Sequence, residues 1–454
     1  MSNIKDAELT NGIQRRDFLK GGVAATAAGM LLPQAVVAQS TAKGPILAGD
    51  ASYAAKLTAS KVNPSNMPQR PGPPIAIDAH CHWAPATYMK VKADLGRPDT
   101  DSANSHDLPA RIKWMDDHGE KMQVVTLGGF MPWQWVTPEQ GVALAQAAND
   151  DAQEAHLKYP DRFNFGIELP VGYAEGSLKE LNRVAGKPGL VAVHLPNSLA
   201  SREYLFEERF APVLARIQEL GLPIILHPLD GVGNWFAGTR LNDEYSGNNP
   251  NGPQSPFPGL TNSIGETFEQ ATTMAKFIVS GTMDKYPDLN IIVCHAGGAF
   301  PYVVGRLDRG GAGRLKQPVH GYLRRFYYDD LAWYPLSLKY LIDLVGSDRV
   351  VVGTDNMGGT PAGGGGGQGR GGGQNAGGGQ NGGGGQNGGG GQGRGGGQNA
   401  AGGQNPPMGP EVGGFPQGAG AAGPNSVLDQ LDLTEGDRDL ILRGNAIKLF
   451  NLKA

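Results

Sequence analysis

The chain has 454 residues, a formal net charge of −4 and 39% hydrophobic residues. This length suits one large domain or two ordinary ones, and the mildly acidic balance gives no reason to expect nucleic acid as a partner. The two cysteines, Cys81 and Cys294, are too few for a disulfide framework and are predicted to be small buried hydrophobic residues.

The first segment, residues 1–38, resembles a twin-arginine export signal. "RRDFLK" at Arg15–Lys20 precedes an apolar stretch rich in Ala and Gly, and this stretch ends in small residues at Val36–Ala38. No segment reaches the ~18 unbroken apolar residues of a membrane span. We therefore predict that the export machinery is a partner, that the folded protein reaches the periplasm, and that no membrane span remains after processing.

Residues 39–74 are predicted to be a linker, and residues 75–357 then alternate short β-rich runs with amphipathic stretches at helical spacing. The runs are "PIAID", "MQVVTL", "FNFGIEL", "LVAVHL", "PIILH", "NIIVCH", "RFYYDDL" and "RVVVGTD". Strands that alternate with helices indicate an α/β fold with a parallel sheet, and eight runs favour a (β/α)8 TIM barrel. An open doubly wound sheet would carry a glycine-rich turn after its first strand, and "HCHWAPATY" is not such a turn.

A tract rich in Gly, Gln and Asn follows at residues 358–424. "GQGRGGGQNA" occurs there twice, at 367–376 and 391–400. The tract has almost no apolar side chains to bury, so it cannot offset its ordering entropy and is predicted to be a disordered insertion after strand eight. Residues 425–454 return to a helical pattern and are predicted to complete the barrel.

Side chains able to bind a metal end four of the eight runs. They are His80 and His82, His227, His295 and Asp355. One histidine after an apolar strand is more often a satisfied core residue than a ligand. In a (β/α)8 barrel, however, the carboxyl ends of all strands form one rim. Five such residues at that rim predict a metal site with a single ion.

These motifs have a family resemblance. Four stretches of the chain are similar to the second amidohydrolase family. They are the "HCH" pair, "LHPLD", the long stretch around "IIVCHAGGAFPYVVGRLDR" and the terminal "GNAIKLFNL". Within it, the chain resembles the branch of aminocarboxymuconate semialdehyde decarboxylase and related aromatic-acid decarboxylases. The similarity runs from about residue 74 to 357 and resumes from about 426 to the C-terminus. The fold implied is the metal-dependent hydrolase type of TIM barrel.

The resemblance implies a role for each strand-end residue. His80, His82 and His227 would be neutral imidazole ligands and Asp355 a carboxylate ligand that also serves catalysis. The implied ion is Zn²⁺, with Mn²⁺ as the alternative. His295 would be the catalytic acid and base.

Three further residues are placed around this centre. Asp78 is expected on the same strand face as the histidines and could orient one of them, while Glu266 either supports the site or begins a helix. His194 lies where binuclear relatives carry a bridging lysine. A histidine there cannot be carboxylated, which indicates one metal ion and a residue that at most lines the pocket.

We expect a decarboxylase of a small aromatic or unsaturated carboxylic acid. One alternative is a hydrolase that uses the same metal for a lactone, ester or amide. A second is an exported adhesion or matrix protein that displays the glycine tract, although the complete ligand set argues against an inert barrel. A homodimer is left open, and no nucleic-acid partner is expected.

The export signal gives the first testable prediction. Replacing Arg15 and Arg16 with lysine should leave the full-length precursor in the cytoplasm, because the paired guanidinium groups define this signal. Cell fractionation and immunoblotting measure the distribution. Unchanged processing in cells that lack the folded-protein export system would contradict the interpretation.

Overall fold

The computed structural model describes residues 75–96, 106–128, 131–199, 202–229, 260–311, 315–356 and 427–453. The predicted signal (1–38), the linker (39–74) and the whole of the glycine-rich insertion (358–424) therefore lie outside the described residues. Their proposed boundaries remain predictions.

Eight parallel strands form one sheet in the order of the chain. They are β1 (Ala76–His82), β2 (Glu120–Thr126), β3 (Phe163–Glu168), β4 (Leu190–Pro196), β5 (Ile224–His227), β6 (Ile291–Val293), β7 (Phe326–Asp329) and β8 (Val350–Val351). A parallel bridge between Asp78 and Val352 joins the last strand to the first. The predicted (β/α)8 TIM barrel is confirmed.

Helices connect the strands and follow the last of them. They are α1 (Ala86–Asp94), α2 (Leu108–His118), α3 (Pro138–Lys158), α4 (Ala174–Val184), α5 (Ala211–Leu220), α6 (Glu266–Val279), α7 (Thr282–Lys285), α8 (Phe300–Gly311), α9 (Pro335–Val345), α10 (Glu435–Asp439) and α11 (Asn445–Phe450). The longest, α3, starts at a capping box in which Thr137 and Gln140 bond each other's backbone N–H. No helix in the described ranges is long and apolar enough to cross a membrane.

Strand alternation divides the buried side chains between two layers. On β4, Val193 and Leu195 pack in the large cluster under the helices, whereas Ala192 packs inside the barrel. The inner cluster comprises Ile77, Ala79, Met122, Val124, Ala192, Ile225, Ile292, Cys294, Tyr327, Val351, Ala446, Leu449 and Phe450. Its last three members come from α11, so the C-terminal segment contributes to the barrel interior. Both cysteines are buried and free, which confirms their expected role.

One asparagine joins α3 to the end of β3. Asn149 Nδ2 donates to the carbonyl of Glu168 at 2.9 Å, and the Glu168 N–H donates to Asn149 Oδ1 at 2.8 Å. Asn149 is 1% exposed. The amide therefore satisfies both backbone groups of a buried residue at the point where the strand ends.

Asn149→Ala should lower the free energy of unfolding by about 2–3 kcal/mol, because it leaves two buried backbone groups without this partner. Denaturant unfolding followed by circular dichroism measures the loss. The matched control is Asn182→Ala on α4, whose side chain accepts from Arg216 at an exposed position and should change stability by less than about 0.5 kcal/mol. Equal losses in both variants would show that Asn149 does not support β3 in this way.

Candidate metal centre

The four predicted ligands meet at the carboxyl ends of the strands. The ring centroids of His80, His82 and His227 lie between 4.7 and 5.2 Å apart. The Nε2 atoms of His80 and His82 are 3.1 Å apart. Asp355 follows β8, and its Oδ1 lies 2.8 Å from His82 Nε2 and 3.5 Å from His80 Nε2. These spacings suit atoms that share one ion.

His295 joins the same group. One ring nitrogen or carboxylate oxygen from each of His80, His227, His295 and Asp355 lies within 4.8 Å of the others. The five predicted strand-end residues are thus brought together.

An irregularity in β1 turns both imidazoles toward the centre. Ile77 and Ala79 belong to the inner cluster, so regular alternation would direct His80 away from the interior. The pairing with β2 shifts register between Asp78 and Cys81. After that shift His80 and His82 both face the centre, while Cys81 packs in the large cluster under the helices.

The donor set fits a metal ion. His227 Nδ1 lies 2.5 Å from the carbonyl oxygen of Pro228, so it carries the hydrogen. Its Nε2 is buried with no hydrogen-bond partner among the described residues. A ring nitrogen held unprotonated and unpaired beside two other imidazoles and a carboxylate is the arrangement that a divalent cation requires.

Asp329, at the end of β7, is a site residue that the sequence analysis missed. Its Oδ2 lies 2.6 Å from His80 Nδ1 and accepts from the backbone N–H of His295 at 2.8 Å. Its Oδ1 accepts from the N–H of Ala296 at 2.7 Å. Asp329 therefore orients a ligand ring and the turn that carries His295. The signal was present, since "RFYYDDL" also ends a strand in a carboxylate.

Two residues at and just after the end of β2 contact the ring of His82 and fix its position. Thr126 Oγ1 lies 3.1 Å from His82 Nδ1. Gly128 has a φ of 52°, and a Cβ there would come within 2.2 Å of His82 Nδ1. Only glycine fits this contact.

Three of the predicted ligands, His82, His227 and Asp355, have the protonation states that metal binding needs. Burial lowers the pKa of His82 to about 4, against the opposing effect of Asp355. Burial, together with the neighbouring histidines, also lowers the pKa of His227 well below its usual value. Burial would raise the pKa of Asp355, but its contacts with His295 and His82 outweigh burial and hold it well below the ordinary range. At neutral pH both histidines are neutral and the carboxylate is ionised.

His295 differs from the other histidines. Burial lowers its pKa, but the Asp355 carboxylate, with Oδ2 3.7 Å from Nε2, outweighs burial and raises the pKa to about 9. The residue lies in a short helical turn after β6, with a φ of 55°. A protonated imidazole held at the edge of the centre can deliver a proton.

Asp78 does not have the position expected for it. Its Oδ1 accepts from the backbone N–H of His80 at 3.0 Å, and its Oδ2 accepts from Thr354 Oγ1 at 2.5 Å. It therefore ties β1 to the segment before Asp355, whereas Asp329 orients the His80 ring. The expectation of a shared face was wrong because it assumed a regular strand. Burial raises the pKa of Asp78 to about 6.

The remaining two candidates lie next to the centre. Glu266 begins α6, as one of its two interpretations held. His194 is fully buried on β4 and contacts Glu168. Its ring centroid is 6.0 Å from that of His227.

Comparisons with known proteins agree with this geometry. Residues 77–452 match the family model described as "Amidohydrolase", and residues 12–32 match the model of the twin-arginine translocation pathway signal sequence. Both expectations of family are confirmed.

Two curated relatives illustrate the similarity. The chain is 26% identical over 288 residues to 2-amino-3-carboxymuconate-6-semialdehyde decarboxylase of Dictyostelium discoideum, covering 62% of this chain and 74% of that protein. It is 27% identical over 266 residues to gamma-resorcylate decarboxylase of a Rhizobium species, covering 54% and 75%. Both names describe decarboxylases.

Solved structures share the fold. The 5-carboxyvanillate decarboxylase of Sphingomonas paucimobilis aligns with a TM-score of 0.57 at 18% identity, over 84% of this chain and 100% of that one. A dihydroxybenzoic acid decarboxylase from a Polaromonas species, solved with bound manganese and an inhibitor, aligns with a TM-score of 0.57 at 21% identity, over 84% and 98%.

Asp329→Asn should weaken metal binding by about 10–100-fold, because the amide cannot accept from His80 Nδ1 and both backbone donors with the strength of a carboxylate. Competition with a chromophoric chelator measures the affinity.

The adjacent Asp330 provides a matched control. It is also buried and accepts from the N–H of Gly353 at 2.9 Å. Burial raises its pKa well above the usual value. Asp330→Asn therefore keeps the same acceptor and should leave metal affinity nearly unchanged. Equal weakening by both variants would mean that Asp329 has no special role.

Proposed function

Because this chain belongs to the amidohydrolase family, we propose that it is a metal-dependent decarboxylase of a small aromatic or unsaturated carboxylic acid. The observation that carries the proposal is the cluster of His80, His227, His295 and Asp355, together with His82, whose Nε2 lies within 3.1 Å of His80 Nε2 and 2.8 Å of Asp355 Oδ1. The names of the relatives support the reaction class.

We assign the metal to the three imidazoles and the Asp355 carboxylate. Zn²⁺ suits three nitrogen donors and one oxygen donor, and it is the proposed ion. Mn²⁺ is the alternative, since it is bound in the Polaromonas decarboxylase. The bound ion supplies Lewis-acid polarisation of a substrate oxygen.

The residues of the chain supply the proton. Decarboxylation breaks the bond between the substrate carbon and its carboxylate, leaves the electron pair on that carbon, and places a proton there. His295 is protonated at neutral pH, because the carboxylate of Asp355 raises its pKa to about 9. If Asp355 held a cation, its negative charge would be offset and the pKa of His295 would lie closer to neutrality, where the ring can give or take a proton.

Decarboxylation and hydrolysis would use His295 differently. Hydrolysis of a lactone, ester or amide needs a base to take a proton from water, whereas decarboxylation needs an acid. Because a histidine with a pKa near neutrality can serve in either role, it is the names of the relatives that favour decarboxylation. Hydrolysis is the alternative outcome of the assay.

The match to an export signal supports the periplasm as the site of action. The ligands come from β1, β5 and the segment after β8, so the metal site exists only in the folded barrel. A route that carries folded proteins is consistent with loading the ion before export. The homodimer left open by the sequence stays a prediction, which light scattering of the purified protein decides.

His227→Ala and His295→Asn should separate binding from catalysis. His227→Ala removes a ligand and should lose both metal and turnover. His295→Asn should retain about one ion per chain while kcat falls by about 10²–10⁴-fold, because a proton donor is lost and a ligand is not. Elemental analysis and CO₂ release from a panel of aromatic acids measure the two effects.

A parallel panel of lactones and esters is the control for reaction class. Turnover of these compounds without CO₂ release from any acid would contradict the decarboxylase. Loss of the metal in His295→Asn would contradict the role given to His295.

A further inference from the structure

A further buried histidine, His194, lies beside the candidate metal centre and is not one of its predicted ligands. His194 has no exposed surface. Its Nδ1 lies 2.8 and 3.0 Å from the two carboxylate oxygens of Glu168. Its Nε2 is buried and has no hydrogen-bond partner within the described ranges. Buried polar atoms without partners are rare in native structures and call for an explanation.

The ring of His194 lies in the wall of the barrel interior. Ala192, two residues earlier on β4, belongs to the inner cluster, so His194 points the same way. Its Nδ1 turns toward Glu168 on the neighbouring β3. The opposite ring edge, with Nε2, therefore faces away from β3, on the side where β5 carries His227 at a centroid distance of 6.0 Å.

The hydrogen-bond pattern fixes what Nε2 can do. Because Nδ1 faces a carboxylate, it carries the hydrogen, which leaves Nε2 of the neutral ring as an acceptor. Glu168 is itself held in place, since its Oε1 accepts from the N–H of Leu127 at 2.9 Å and its backbone is bonded to Asn149. The acceptor is therefore preorganised.

We propose that His194 Nε2 accepts a hydrogen bond from a hydroxyl or amino group carried next to the carboxylate of the substrate. The inference rests on the proposed function, because it places the substrate at the metal centre. Nε2 is closed to bulk solvent, so we take its donor to come from a molecule held at the centre. His194 thus determines specificity for acids with an adjacent O–H or N–H, and Glu168 is its positioning residue.

The consequence is discrimination between closely similar acids. A site built to bond a donor rejects the analogue without it, because the buried acceptor then stays unpaired. An acid with a hydroxyl next to its carboxylate should therefore bind more tightly than its methyl ether or the unsubstituted acid.

The test measures binding to the metal-loaded protein by calorimetry. The probes are 2-hydroxybenzoate, 2-methoxybenzoate and benzoate. The wild type should prefer the hydroxy compound over the methoxy compound by about tenfold or more. His194→Leu should reduce this ratio to about one, with the metal content and the affinity for benzoate unchanged.

Two further variants control for general damage. His156→Gln alters a histidine on α3 that bonds a backbone carbonyl away from the centre, and it should keep the wild-type ratio. If His194→Leu does not fold because Glu168 is left buried and unpaired, the double variant Glu168→Leu with His194→Leu removes both partners. The ratio should be lost in the double variant as well.

The outcomes separate this inference from the proposed function. If the preference for the hydroxy compound persists in the His194 variants, the hydroxyl is recognised by the metal, and the role proposed for His194 is wrong. Failure of the wild type to bind any of the three probes would also overturn it. If the ratio is lost as expected while no acid releases CO₂, the subsite stands and the decarboxylase proposal fails.

Discussion

The metal centre depends on the carboxylate of Asp329. This fully buried group accepts from the ring of His80, from the N–H of His295 and from the N–H of Ala296. Burial would raise its pKa, but the bond from His80 and the other donors outweigh burial and keep the pKa below its ordinary value. One carboxylate at the end of β7 thereby fixes the ring of His80 on β1 and the turn after β6 that carries His295. Breaking a buried charged contact of this kind costs more than removing a surface ion pair.

The backbone around the centre is strained, and the surrounding bonds hold it. His295, Ala296 and Asp355 have φ angles of 55°, 55° and 54°, a region that costs a non-glycine residue roughly 1–3 kcal/mol. The N–H groups of Thr354 and Asp355 both donate to the carbonyl of His80, at 3.0 and 2.9 Å. Strain of this kind persists where several contacts determine one conformation, which is the condition for holding donor atoms around an ion.

The sequence predicted the barrel and the convergence of the strand-end residues, because parallel strands share one rim. It could not tell whether Asp329 or Asp330 faces the barrel interior. Side chains alternate between the two faces, so the answer depends on the residue at which β7 begins. Asp78 was placed on the wrong face because the irregularity of β1 leaves no mark in the residue pattern. The contact between Glu168 and His194 depends on the register of β3 against β4, which alternation within each strand does not define. The catalytic and metal-binding roles remain predictions.

The most direct test of the central claim is a crystal structure of the metal-loaded protein with anomalous diffraction at the metal edge. We expect one ion, about 2.0–2.2 Å from the Nε2 atoms of His80, His82 and His227 and from one oxygen of Asp355. The His295 ring should lie outside the coordination shell. A second ion, or an ion coordinated by His295 in place of one of these four residues, would contradict the account.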